Sequence, residues 1–378
     1  MSRKIISLPP PDSSDQFQKI QEVLNGGNVC LELPPGLFHV SGTLRVFSNT
    51  VIKATPETVI RRMDKSMHSR EDCVIANSDE YGAGNENIEL DGGIWNANNP
   101  ENPRGNNPDS PDDSYGGWGL RFNRVRNLKI KNLTVANADS YFIRMCNIRD
   151  FEISNICFYS VCFRPNQDGV HLNGNCFHGK IKGVYGISPY TPGDDMIALN
   201  AYDGMGILNQ GVDLGPIEDI QIEDIEANSV YGFVRILTKE GCPVRNISLR
   251  NIRGGVRYLL LNANVWGEAS PGDGLIENVD FSDINVYKSP QWSDSDMYND
   301  HPLFGFMLKM KNVTFRNVKR PMLDAGCGKD TFHLHPLAGK IEEYIPDPGN
   351  PEKELIQDEN GTIRLPNGGF EYLKITSP

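Results

Sequence analysis

Along this chain a short phrase keeps returning: Asn or Asp, apolar and polar residues in alternation, then a second Asn or Asp and another apolar position. It is read in Asn87-Ile88-Glu89-Leu90, Asn127-Leu128-Lys129-Ile130-Lys131-Asn132-Leu133 and Asp150-Phe151-Glu152-Ile153-Ser154-Asn155-Ile156. Further copies start at Asp219, Asn246, Asn278 and Asn312. Alternation with period two predicts short strands with one buried face. The copies starting at 127 and 150, at 219 and 246, and at 246 and 278 lie 23, 27 and 32 residues apart, periods that signal a solenoid. No amphipathic helix of crossover length lies between returns, so βαβ units are excluded. The Leu-x-x-Leu-x-Leu spacing of leucine-rich repeats is missing as well. Stacked coils of a parallel β-helix remain, an all-β fold in which corner Asn residues tolerate left-handed backbone angles and stack as ladders.

An open solenoid end needs a cap. Asp15–Leu24 carries Phe17, Ile20, Val23 and Leu24 at helical spacing, with Asp15 as N-cap and Gly26-Gly27 as the stop. The expected layout is an N-terminal cap over 1–40, a β-helix over 41–325 and a C-terminal cap over 326–378. Two irregular insertions, 96–119 and 288–302, interrupt the coils and are candidate binding loops. The second carries Trp292, Asp294, Asp296 and His301.

A net charge of −12 opposes binding to nucleic acid and to anionic membranes. It does not oppose an acidic sugar if cations gather in one groove. Eight cysteines without a CxxC pair argue against a zinc site and read as mostly buried thiols. No stretch is apolar enough to span a bilayer. The first residues lack a signal-peptide core, so the expected location is cytoplasmic as the chain stands, or secreted if it is a mature form.

Two segments stand out chemically: Asn166-Gln167-Asp168-Gly169-Val170-His171 and Gly193-Asp194-Asp195-Met196-Ile197-Ala198-Leu199-Asn200. They lie about one coil apart, so stacking would set Asp168 beside Asp194 and Asp195. Three adjacent carboxylates repel and raise one another's pKa, which suits glycoside hydrolysis, where one carboxyl must give a proton and another must activate water. Calcium binding is the rival use of such a cluster.

On these two motifs the chain resembles the polygalacturonase family, family 28 of the glycoside hydrolases. Val234-Arg235-Ile236-Leu237-Thr238, Leu33-Pro34-Pro35-Gly36 and Asp91-Gly92-Gly93-Ile94-Trp95 extend the likeness. The resemblance implies a right-handed β-helix and an inverting hydrolase of α-glycosidic bonds, with Asp194 as general acid and Asp168 and Asp195 holding the attacking water. It implies a carbohydrate partner and no cofactor or metal. The expected substrate-binding residues are Arg235, Lys239, Asn166, Asn200, His171, Arg144 and Tyr141. Arg164 and the aromatic rings of Trp118, Trp266 and Trp292 are further candidates for sugar contact. Three departures accompany the match. No histidine lies between Asn200 and Val234, Leu237 stands where the family has a substrate-binding lysine, and Asn200 stands where lysine is common. The alternatives are a Ca²⁺-dependent lyase on the same fold and a β-helix that only binds glycan.

Overall fold

The computed structural model describes residues 3–69, 72–104, 116–162, 164–203, 211–265, 267, 269–289, 301–321, 330–350 and 353–377. The chain winds as a right-handed parallel β-helix. Each coil lays its strands in register on those of the coil before: Leu128 on Ile88, Phe151 on Leu128, Gly179 on Phe151, Ile220 on Gly179 and Ile247 on Ile220. The alternation seen in the sequence becomes burial directly. In Ile217–Val230 the residues Ile217, Ile220, Ile222 and Ile225 point inward, while Glu218, Gln221, Glu223 and Glu226 stay at the surface.

The recurrent Asn and Asp positions are the corners. Asn127, Asp150, Asp219, Asn246, Asn278 and Asn312 all have φ between 53° and 60°. Their side chains bond from coil to coil: Asn246 donates to Asp219 (3.0 Å), Asn278 to Asn246 (3.3 Å) and Asn312 to Asn278 (2.8 Å). Asn suits this role because its short amide compensates a backbone conformation that costs most L-residues about 1–2 kcal/mol.

The helix forms over Phe17–Leu24 and buries Ile20 and Leu24 against the first coils. Gln16 takes the N-cap position, yet Asp15 still accepts the Phe17 N–H at 2.9 Å. Parallel stacking is already present within the expected N-terminal cap, because Lys4–Ser7 pairs with Val29–Leu33. It also continues past 325, through Asp330–Leu334 on Phe304–Phe306. Beyond that the chain reverses. Phe370–Thr376 runs antiparallel to Met310–Lys319, and Ile363–Pro366 antiparallel to Asp330–Leu334, so the last coils are covered by strands of opposite direction. Among the described residues no helix is long and apolar enough to cross a membrane. Cys30, Cys73, Cys146, Cys176 and Cys242 are buried free thiols, while Cys162 is exposed; Cys327 lies outside the described residues.

Candidate active site

One face of the solenoid gathers the candidate residues. Its strands include Ile143–Tyr159 at their start, Val170–Leu172, Asp195–Asn200 and Gly232–Leu237. One row across them runs Arg121, Arg144, His171, Ala198, Arg235 and Asn262. Asp168 lies in the turn entering Val170–Leu172, and Asp194 and Asp195 enter the strand of the next coil. Backbone bonds lock the two turns together: Gly169 N–H donates to Asp195 O (2.8 Å) and Phe142 N–H to Asp168 O (2.8 Å). A side chain at 169 would bring its Cβ within 2.5 Å of Met196 O and 2.6 Å of the Phe158 ring, so glycine is what lets these coils close.

Stacking does bring the three aspartates together. One oxygen from each lies within 4.8 Å of the others. Burial, then the charge of Asp168, pushes the Asp194 carboxyl up to about 6, against the pull of the Asn166 N–H, Arg235 and Arg257. Burial, then the charges of Asp194 and Asp168, holds Asp195 well above the usual carboxylate range. The pair therefore keeps a proton at mildly acidic pH. Asp195 Oδ1 is buried with no hydrogen-bond partner among the described residues. Asp168 has both oxygens engaged: Oδ1 accepts the Asp195 N–H at 3.3 Å and Oδ2 faces His171 Nδ1 at 2.5 Å.

The remaining expected residues fall into two groups. Arg235 is buried one strand beyond the aspartates, and its charge acts on both Asp194 and Asp195. Asn166 contributes its backbone, whose N–H donates to Asp194 Oδ2 at 2.8 Å. Asn200 donates to Asp203 Oδ2 at 2.9 Å. Arg144 is buried over the Trp118 ring (4.6 Å) and donates to Asn173 Oδ1 at 3.3 Å.

His171 and Tyr141, expected to touch substrate, are 1% and 3% exposed and stack on each other at 3.8 Å. The imidazole faces Asp168 and Asp203. Lys239 lies over the Tyr202 ring at 4.9 Å in the turn after Gly232–Leu237. Trp118 is no platform for a sugar, because it is buried between Arg121 and Arg144. Arg164 is 3.8 Å from Asp139. Trp266, Trp292, Asp294 and Asp296 lie outside the described residues.

Sequence reasoning missed the residues that hold the turns. Gln167 donates to Ala138 O (2.6 Å), Ser160 Oγ (3.2 Å) and Cys162 O (3.1 Å), and accepts the Gly193 N–H (3.1 Å). Arg257 donates to Gly193 O at 3.2 Å from a coil far along the chain. Arg104, in the first insertion, donates to Pro165 O beside Asn166. Only the Gln167 position, inside the motif, offered a signal.

Residues 74–216 match the family model described as glycosyl hydrolases family 28. This chain resembles that family. A polygalacturonase of Brassica napus is 26% identical over 206 residues, which are 53% of this chain and 47% of that protein. The chain thus spans about half the length of that curated relative. Among solved structures, a family 28 exopolygalacturonase of Yersinia enterocolitica superposes with a TM-score of 0.56 at 14% identity, covering 84% of this chain and 66% of that one. The pre-mature gene product 12 of bacteriophage phi29 reaches 0.59 at 14% identity, over 84% of this chain and 41% of that one. At such identities the superpositions show the fold alone. The matched segment contains Asp168, Asp194 and Asp195.

Proposed function

We propose that the protein is a glycoside hydrolase that cleaves α-glycosidic bonds of a polygalacturonan-type saccharide by an inverting acid–base mechanism. The observation that carries this reading is the trio Asp168, Asp194 and Asp195, converged within 4.8 Å and retaining a proton on its Asp194–Asp195 pair. Asp194 gives its proton to the leaving glycosidic oxygen. As that oxygen draws the shared proton to Asp194, Asp195 is freed to join Asp168 in holding and deprotonating water. The carboxylate oxygens lie closer than the roughly 6.5–9.5 Å usual between acid and base in inverting enzymes. The anomer of the first product therefore tests the inverting assignment directly.

An acidic substrate is supported by Arg144 and Arg235, which share one row on either side of the aspartates in a chain whose net charge is −12. Arg121, in the same row, is already paired with Glu80 at 2.6 Å. The names of the related proteins point the same way. The test is hydrolysis of polygalacturonate and its oligomers, with the anomer of the first product followed by NMR. Asp194→Asn and Asp168→Asn should each lower kcat by about 10²–10⁴-fold. Since the acid must be protonated, kcat/KM should fall as pH rises through about 6. Unsaturated uronate products, retention of configuration, or glycan binding without turnover would overturn the proposal.

A further inference from the structure

The imidazole of His171 sits in the site without reaching solvent. His171 is the middle residue of the strand Val170–Leu172, three residues after Asp168 on the same coil, and its ring points back at that carboxylate. Nδ1 is 2.5 Å from Asp168 Oδ2, and Nε2 is 3.4 Å from Asp203 Oδ2 and 3.1 Å from Asn173 Nδ2. Tyr141 covers one face of the ring at 3.8 Å with planes 17° apart. The second carboxylate is itself held, because Asn200 donates to Asp203 Oδ2 at 2.9 Å. A continuous chain results, from Asn200 through Asp203, His171 and Asp168 to the backbone N–H of Asp195. The charged groups around the ring are Arg144 on the preceding coil, Asp168 on its own and Asp203 beyond the next strand, with Arg235 one strand further along the row.

We infer that His171 is a positioning residue for the hydrolysis proposed above: held between Asp168 and Asp203, it fixes the orientation of the Asp168 carboxylate toward the attacking water. Of the three aspartates, only Asp168 receives an imidazole. With Oδ2 against the imidazole and Oδ1 against the Asp195 N–H, that carboxylate cannot turn without losing a bond. Burial alone works against an imidazolium here, but Asp168 and Asp203 outweigh it and raise the His171 pKa above its ordinary value. The ring is therefore charged across the mildly acidic range in which Asp194 holds its proton. His171 touches no substrate in this arrangement. Its effect passes through Asp168.

The inference rests on the hydrolase reading, and the experiment separates the two. Polygalacturonate oligomers are hydrolysed by wild type, His171→Leu, His171→Asn and Asp203→Asn across pH 3.5–8, and kcat and KM are resolved. A hydrogen bond to a charged group is worth roughly ten- to hundredfold in rate. His171→Leu should lose about that much in kcat and leave KM nearly unchanged. His171→Asn puts an amide N–H near the former Nδ1 and should recover part of the loss. Asp203→Asn, which leaves Asp168 and its partner ring in place, should lower kcat in the same way by less, and keeps the test alive if the leucine variant fails to fold. An undiminished kcat, no recovery in His171→Asn, or a change in KM alone overturns the positioning role. A wild type without turnover overturns the hydrolase reading instead.

Discussion

Replacing Asp194 by asparagine should make the protein more stable while disabling it, and the size of the gain depends on pH. In the folded protein the carboxyl is raised from 3.8 to about 6 by burial and by Asp168. Between those two values the folded chain holds a proton that the unfolded chain has released, so stability declines as pH rises and stays reduced above about 6. At roughly 1.4 kcal/mol per pH unit the rise corresponds to at most about 3 kcal/mol. Asparagine keeps an oxygen able to accept the Asn166 N–H but carries no charge to desolvate. With an unfolding entropy of about 2.1 cal/mol/K per residue, 3 kcal/mol moves the Tm of a chain this long by about 4 °C.

The assay is differential scanning calorimetry of wild type and Asp194→Asn at matched scan rate, at pH 8 and at pH 3.5. The variant should melt about 4 °C higher at pH 8 and almost level with wild type at pH 3.5, where both side chains are neutral. A variant no more stable at pH 8, or stabilised equally at both, would refute the claim that the folded site carries the electrostatic cost of its buried carboxylates.

Other outcomes follow from single positions. Gly232→Ala would put a Cβ within 2.1 Å of Asp195 Oδ1, so kcat should fall at least about tenfold while circular dichroism and melting stay close to wild type. Asn278→Ala removes a corner residue at φ 53° that donates to Asn246 and accepts from Asn312. It should cost about 1–2 kcal/mol in urea unfolding, whereas Ser282→Ala, at a strand position of the same coil, should change little.

The repeated phrase carried most of the architecture. Alternation in Asp219–Ile225 or Asn246–Ile252 is enough to set a buried face, and Asn at the corners is a local conformational requirement, so both are written residue by residue. The ends were less legible. Parallel pairing of Lys4–Ser7 and reversal of the chain after Leu334 depend on which exposed edge a segment meets, and no local pattern encodes that.

At the site, the motifs around Asp168 and Asp194–Asp195 announced three carboxylates about one coil apart, and the chain alone determined that they would be neighbours. Their inequality was decided only in three dimensions. Burial and mutual charge depend on what packs above them, and so does the imidazole that faces Asp168 and neither of the other two. Arg257 reaches Gly193 from a distant coil, Asp203 closes on His171 from beyond the next strand, and Tyr141 seals the ring from the coil before. Electrostatic energy depends on distance and desolvation, which a sequence carries only through the fold it produces.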